Sequence, residues 1–321
     1  MISGREKRIS VLVPSYNHAR FVDRCLRSIF RQTHPPSELL VIDDGSTDGS
    51  PAVIENTLKS CPFPCELTVN TNRGLCATLN DGLKRTRGEY FAYLGSDDLW
   101  LPEFLGSRLN LLESRPEAVL AYGNGYLIDH NDDIFENSAD WRNFEFPDGD
   151  ARPMLFLGTA PISSTVFYRR DELEEIGWNE GSRLEDYELY LQLAEVGEFA
   201  FDPSVLAAWR RHNTNTSGDL DFMLDQVIAA QKRIAPKLDW SAGKLAEIQT
   251  RTRFFFSEEY CRAGEKAKSR SLLFGNIAGA PSFRIFLRAI VRNFIPEAVL
   301  KRRKRSVRAR KIAHYGSVQT S

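Results

Sequence analysis

The sequence predicts an α/β fold with a mostly parallel central sheet and a helical extension toward its C-terminus. Three observations predict it. Short β-branched runs alternate with helical periodicity through the first hundred residues, the pattern of strands joined by crossover helices. Polar residues collect directly after those strands, where such sheets bind ligands. Beyond Gly218 the composition turns helical and charged.

Ile9 to Val13 reads as the first strand, followed by Pro14, Ser15, Tyr16 and Asn17 and then by Phe21, Cys25, Leu26 and Ile29 at helical spacing. Leu39 to Ile42 is the second strand and stops at the run from Asp43 to Gly49. Ser50 is expected to cap the next helix, with Pro51 at its first position. Glu66 to Val69 is a third strand, Leu75 to Arg85 a helix, and Tyr90 to Leu94 a fourth strand. From Trp100 to about Ser164 the pattern is irregular, aromatic and Pro-rich, and is expected to add structure onto the sheet. Glu185 to Val196 is again helical, because Tyr187, Tyr190, Leu191 and Ala194 share one face. The expected units are residues 1–217, 218–281 and 282–321, the last a basic amphipathic tail.

With 42 Lys and Arg against 43 Asp and Glu, the total charge offers no general argument for nucleic acid. Its distribution is uneven. Between Arg284 and Lys311 stand eleven basic residues and one acid, Glu297, which leaves the rest of the chain acidic. Phe283, Phe286, Leu287, Ile290 and Phe294 recur at helical spacing there, with Arg284, Arg288 and Arg292 beside them. Pro296 should end that helix, and Lys301 to Lys311 adds eight Lys or Arg. This pattern suits a peripheral helix on an anionic membrane surface, at the cytoplasmic face of the plasma membrane. Packing of the apolar stripe on the rest of the chain is the alternative. The tail lacks the aromatic interleaving expected for nucleic acid. No run of 18 apolar residues occurs, so no membrane span is expected. Cys25, Cys61, Cys65, Cys76 and Cys261 form neither an even framework nor a paired zinc spacing, which favours plain thiols in a reducing compartment.

Asp97 and Asp98 follow the fourth strand. Carboxylates can lie beside a diphosphate when a divalent cation bridges the two, although an Asp pair in a loop is also ordinary turn chemistry. Asp43 and Asp44 carry the same ambiguity: turn residues, or acceptors for a base or ribose.

Four pieces taken together resemble the family 2 glycosyltransferases of the GT-A fold, over roughly Arg8 to Ser217. They are Val-Pro-Ser-Tyr-Asn at 13 to 17, Asp43 to Ser50, the spaced Asn72, Gly74, Asn80 and Gly82, and Gly88-Glu89-Tyr90 leading into Leu94 to Asp98. The resemblance implies a GT-A type nucleotide-sugar-binding domain. Pro14 and Asp44 would line its nucleoside pocket. Beside them, Tyr16 and Asp43 are candidate donor contacts, and Arg73 either reaches the donor from its loop or stands in solvent. Asp97 would approach ribose or metal, and Asp98 would ligate the metal, Mn²⁺ or Mg²⁺. The family often has another Asp where Gly95 stands.

Leu184-Glu185-Asp186-Tyr187 looks like the family's acidic pair at a helix start, where the base that deprotonates the acceptor sits. Asp186 is the first choice and Glu185 the second. A helix N-terminus depresses an Asp pKa, so desolvation must offset it for Asp186 to act as a base. Trp209-Arg210-Arg211-His212 with Asn213 to Ser217 resembles the closing segment that faces diphosphate and metal. By that likeness His212 would touch the metal or the diphosphate, and Arg211 the diphosphate, with Arg210 as its substitute.

The implied activity is inverting, metal-dependent transfer of a sugar from a nucleotide-sugar donor, a UDP-sugar by preference, to a saccharide or lipid-linked acceptor in surface polysaccharide synthesis. Two other readings stay open. A nucleotidyltransferase would want a Gly-rich basic loop after the first strand, where Pro14-Ser15-Tyr16-Asn17-His18 has neither Gly nor Lys. A non-catalytic nucleotide-sugar-binding module would not need the full set of acids present here.

Overall fold

A computed structural model describes residues 8–141, 146–212 and 218–318. Its first half is β1 (Ile9–Ser15), α1 (Val22–Phe30), β2 (Glu38–Asp43), α2 (Ser50–Leu58), β3 (Cys65–Val69), α3 (Leu75–Arg85) and β4 (Tyr90–Tyr93). These strands run parallel in the order β3-β2-β1-β4. Successive side chains of a strand point to opposite faces. Leu12 accordingly packs with Leu79 and Leu83 of α3, while Val11 and Val13 pack with Leu26, Ile29 and Ile54 of α1 and α2. Burial on both faces explains why β1 reads as a continuous apolar run. Gly82 lets α3 settle on β1, since a Cβ there would sit 2.4 Å from a Leu12 methyl.

The cap of α2 differs from expectation. Gly49, at φ +88°, occupies the N-cap, and Ser50 is the first helical residue, its hydroxyl donating to Asp48 Oδ1 at 2.5 Å. Glycine reaches this left-handed backbone without the steric cost a Cβ would bring.

The second half comprises β5 (Leu99–Trp100), α4 (Phe104–Ser114), β6 (Ala118–Ile128), β7 (Ile134–Asn137), α5 (Arg152–Leu155), β8 (Phe167–Arg169), α6 (Arg170–Ile176), α7 (Glu185–Val196) and β9 (Glu198–Arg210). Here the sheet becomes mixed. β8 is antiparallel to β4 and β6, β6 runs parallel to β9, and β5 and β7 pair antiparallel with β9 and β6. The stretch that reads as irregular therefore contains α4 and the long β6. Gly123-Asn124-Gly125 in the middle of β6 hid that strand, because these residues disfavour strand interiors.

The chain continues through α8 (Leu220–Ile234), α9 (Ala242–Ala263), α10 (Lys266–Gly275), α11 (Phe283–Phe294) and α12 (Glu297–Tyr315). Val227, Ile234, Ile248 and Phe256 share one core with Leu12 and Leu189, so packing is continuous across the expected boundary at Gly218. It also continues past Pro281. α12 returns to the β6–β7 hairpin, where Arg308 pairs with Asp129 at 3.0 Å, Tyr315 donates to Asp140 at 3.0 Å and Ser317 bridges to Asp133.

The expected apolar stripe of α11 splits in two. Phe286 and Ile290 turn inward with Ile285 toward Phe254 and Leu273, while Phe283, Leu287, Val291 and Phe294 face outward. Arg288 and Arg292 pair with Glu258 of α9 at 3.3 and 3.4 Å. All five cysteines are free thiols, three of them buried. Among the described residues no helix is long and apolar enough to cross a membrane.

Candidate active site

The loops after β1 and β2 are stitched together by their own polar side chains. Asn17 adopts a left-handed backbone, φ 55°; its amide donates to Ser46 Oγ and its Oδ1 accepts the Thr47 amide, each at 2.8 Å. The amides of His18 and Ala19 donate to Ser50 Oγ at 3.0 Å and Asp48 Oδ2 at 2.9 Å. Asp43 serves the same scaffold. It is fully buried, with Oδ1 accepting the Ser46 amide at 2.8 Å and Oδ2 the Ser46 hydroxyl at 2.7 Å. Asp43 is thus a loop anchor, both of its oxygens accepting from Ser46.

Asp44 ties in a third loop. Its two oxygens accept the amides of Arg73 and Gly74, both at 2.8 Å. Each carboxylate oxygen has a second lone pair, so Asp44 can still accept from a base N–H. Arg73 keeps a half-exposed guanidinium, 3.5 Å from Asp81 of α3. Opposite charge on the neighbouring helix holds it there. Pro14 is buried near the end of β1, and Tyr16 is half exposed.

At the end of β4 the chain turns sharply, the Asp98 amide donating to Gly95 O at 2.9 Å. This turn sends two adjacent carboxylates to different partners. Asp98 is buried, and its Oδ1 accepts the Arg210 amide at 2.8 Å. Burial, and next the charge of Asp97, push its carboxyl well above the ordinary range. Asp97 instead meets two imidazoles, with Oδ2 2.9 Å from His212 Nε2 and Oδ1 3.8 Å from His18 Nδ1. Burial opposes its ionisation, but the His212 hydrogen bond and both rings outweigh this and hold its pKa below the usual value. The geometry therefore favours Asp97 over Asp98 as the carboxylate facing a cation, the reverse of the expected emphasis.

β9 carries the closing segment back to this turn. Arg210 is fully buried: Nε donates to Asp97 O and Nη1 to Asp129 O, both at 2.6 Å, and Nη2 pairs with Asp132 at 2.5 Å. It clamps the acidic turn from behind. Arg211 is half-buried and lies over the Trp209 ring at 4.6 Å. The His212 ring stacks on Phe21 at 5.5 Å and meets His18 edge-on at 5.7 Å. Asn213 to Ser217 lie outside the described residues.

The acidic pair opens α7, as expected. Cys76 of α3 contacts Ser182 O at 3.5 Å, and the charges of Glu185 and Asp186 are felt at Tyr93 of β4. The helix start therefore lies at the same sheet end as Asp44 and Asp97. Burial, then the charge of Glu185, raises the Asp186 pKa well above the ordinary value, while the first-turn amides pull it down. Glu185 is also raised by burial. Desolvation outweighs the helix terminus, as a general base requires.

His18 is the site residue that sequence reading missed. Residues 18, 97 and 212 show no ligand spacing along the chain, and only the β1-β4 pairing and the return of β9 bring them together. Its one signal was position, in the loop directly after the first strand.

Comparison with known proteins agrees with this architecture. An uncharacterized glycosyltransferase of Nostoc sp. is 31% identical over 172 residues, 53% of each chain. Chondroitin synthase of Escherichia coli is 28% identical over 65% of this chain and 30% of its own length. A putative teichuronic acid biosynthesis glycosyltransferase of Bacillus subtilis is 26% identical over 66% of this chain and 82% of its own. The chain thus spans about half the length of the first of these relatives and less than a third of the second.

Among solved structures, the mannosyltransferase PcManGT from Pyrobaculum calidifontis in complex with GDP-Man and Mn²⁺ superposes with a TM-score of 0.62 at 17% identity, covering 97% of this chain and 86% of its own. TarS of S. aureus, residues 1–349 in complex with UDP-GlcNAc, gives 0.59 at 16% identity, over 96% and 89%. These likenesses establish the GT-A fold. The sequence profile described as glycosyl transferase family 2 matches residues 10–177, more than half of the chain. The protein belongs to glycosyl transferase family 2.

Proposed function

We propose that this glycosyltransferase moves a sugar from a nucleoside-diphosphate donor, a UDP-sugar by preference, onto a hydroxyl of a saccharide or lipid-linked acceptor, inverting the anomeric centre. The observation that carries the reading is the pairing of two unlike sites at one end of the sheet: Asp97 beside imidazoles, and Asp186 with a raised pKa at the start of α7. Asp97 and His212 supply a carboxylate and an imidazole, a donor set that suits Mn²⁺ and also admits Mg²⁺. A divalent cation there would offset the charge developing on the departing diphosphate. Asp44 accepts from the base, and Arg211 supplies positive charge near the leaving group. Asp186 takes the proton from the acceptor hydroxyl as its oxygen attacks the anomeric carbon. One displacement inverts that carbon and needs no covalent intermediate.

Polysaccharide assembly fits the names of two relatives, chondroitin synthase and a teichuronic acid biosynthesis enzyme. An anionic membrane is the proposed second partner, at the cytoplasmic face, where the apolar and basic residues of α11 and α12 would lie. Incubation with UDP-, GDP- and dTDP-sugars, with Mn²⁺ or chelator and a panel of saccharide and lipid-linked acceptors, tests the reaction. Cation-dependent nucleoside diphosphate release coupled to an inverted glycosidic product is expected. Pyrophosphate release from a nucleoside triphosphate and a sugar phosphate, or full turnover in chelator, would overturn it.

A further inference from the structure

We propose that His18 is a third protein ligand of the cation at Asp97 and His212, and that the set of two imidazoles and one carboxylate selects Mn²⁺ over Mg²⁺. This rests on the cation-dependent reading above and sharpens it. Asp97 stands between the rings, offering Oδ2 to His212 at 2.9 Å and Oδ1 to His18 at 3.8 Å. One ligand atom from each of the three residues lies within 4.8 Å of the others. That span is close to twice a metal–ligand bond of about 2 Å, so a small rotation of either ring brings all three onto one ion.

The placement of His18 is built rather than incidental. Its backbone amide is held by Ser50, and the flanking Asn17 and Ala19 are pinned to the next loop. Its ring packs edge-on against Phe21 and His212, leaving the side chain 25% exposed. Nδ1 shares a hydrogen bond of 2.8 Å with Ser96 Oγ, which holds the ring beside Asp97 and is exchanged for the ion when the ring rotates onto it. Gly95 supplies no side-chain donor, and a Cβ there would stand 3.1 Å from Asp97 Oδ1. His18 approaches that same oxygen, so a nitrogen occupies the side of the site where Gly95 offers nothing.

Two nitrogens change which ion the site prefers. Mg²⁺ favours oxygen ligands and gives up water reluctantly, whereas imidazole suits later divalent metals. For mixed nitrogen and oxygen donors, affinity rises from Mn²⁺ to Co²⁺, with Mg²⁺ weaker than either. An Asp97–His212 pair alone would discriminate less.

The experiment uses the full chain and the metal alone. Binding of Mn²⁺, Co²⁺ and Mg²⁺ is measured by calorimetry, and Mn²⁺ ligation by pulsed electron paramagnetic resonance, which counts coupled imidazole nitrogens. Wild type should bind Mn²⁺ at least about tenfold more tightly than Mg²⁺ and show two coupled imidazoles. His18→Ala and His18→Gln, checked for folding by circular dichroism, should lose at least about tenfold in Mn²⁺ affinity, keep most of their Mg²⁺ affinity and show one imidazole. One imidazole in wild type, or unchanged Mn²⁺ affinity in both variants while Asp97→Asn abolishes binding, would overturn the His18 assignment and leave the cation reading standing. Mn²⁺ binding that survives Asp97→Asn and His212→Ala would instead remove the cation reading itself.

Discussion

Asp97 and Asp98 are neighbours with opposite surroundings, and their substitutions should separate accordingly. Asp98 receives the Arg210 amide inside the protein. Asp98→Ala leaves that amide without its partner and should cost about 1–3 kcal/mol of stability, read as a lowered midpoint in urea unfolding. Asp97→Ala should keep the fold and abolish cation binding, lowering turnover by at least about 100-fold if a cation supplies several kcal/mol to the transition state. Equal loss of stability in both variants would contradict this division of labour. Asp186→Asn should lower kcat by at least about 100-fold with donor KM nearly unchanged, as loss of a general base does. A raised pKa means that the basic form of Asp186 accumulates only as pH rises past the ordinary carboxylate range, so the acid limb of kcat should lie above that range. The Glu185 charge is one cause of the rise. Glu185→Gln should therefore move the acid limb to lower pH, and a limb that stays put would exclude coupling of the pair.

The parallel elements could be read from sequence because each carries its own periodicity: β1 is buried on both faces, and α3 ends where Thr86 leaves helical geometry. The mixed half was less legible. α4 buries Phe104, Leu105, Arg108, Leu109 and Leu112 at helical spacing, but a buried Arg108 paired with Asp202 at 2.5 Å looks like surface in a sequence. The site shows the same contrast. The acidic pair of α7 was legible from its motif, whereas Asp43, Arg73 and His18 were placed by hydrogen bonds and strand pairings that no local pattern encodes. Arg210, at the end of β9, joins that strand to the acidic turn through two backbone carbonyls and Asp132. Arg210→Met should strand buried acceptors and the Asp132 charge, destabilising the protein by about 3–5 kcal/mol. Arg210→Lys should recover little of it, since a single ammonium cannot reproduce the planar fork. Recovery to wild-type stability in denaturant would show that charge alone matters there.

Across the whole molecule, the C-terminal helices do two things that the tail sequence did not separate. α12 closes on the catalytic domain through Arg308, Lys311 and Tyr315, and Tyr315 and Val318 cover Ile128 and Ile134. Removing everything after Pro281 would uncover that cluster, so point variants are the cleaner probe of membrane docking. Phe283, Val291 and Phe294 are 73%, 62% and 72% exposed on α11, while Lys301 to Arg305 are exposed on α12. Arg288 and Arg292 are already engaged with Glu258, which shifts the attraction for an anionic leaflet from α11 to the start of α12. Each basic residue near such a surface contributes about 1 kcal/mol, and salt screens that attraction within a Debye length of about 10 Å at 0.1 M. The full chain should therefore sediment with vesicles containing phosphatidylserine at low salt, less at high salt, and weakly with neutral vesicles. Replacing Phe283, Val291 and Phe294 by Ser should reduce binding at both salt concentrations. Replacing Lys301, Arg302, Arg303, Lys304 and Arg305 by Gln should remove its salt dependence. Neither set touches the contacts of α12 with the β6–β7 hairpin, so unfolding midpoints should match wild type. Equal sedimentation of all three proteins, or none by any, would exclude these helices as the anchor and leave them a purely structural closure of the sheet.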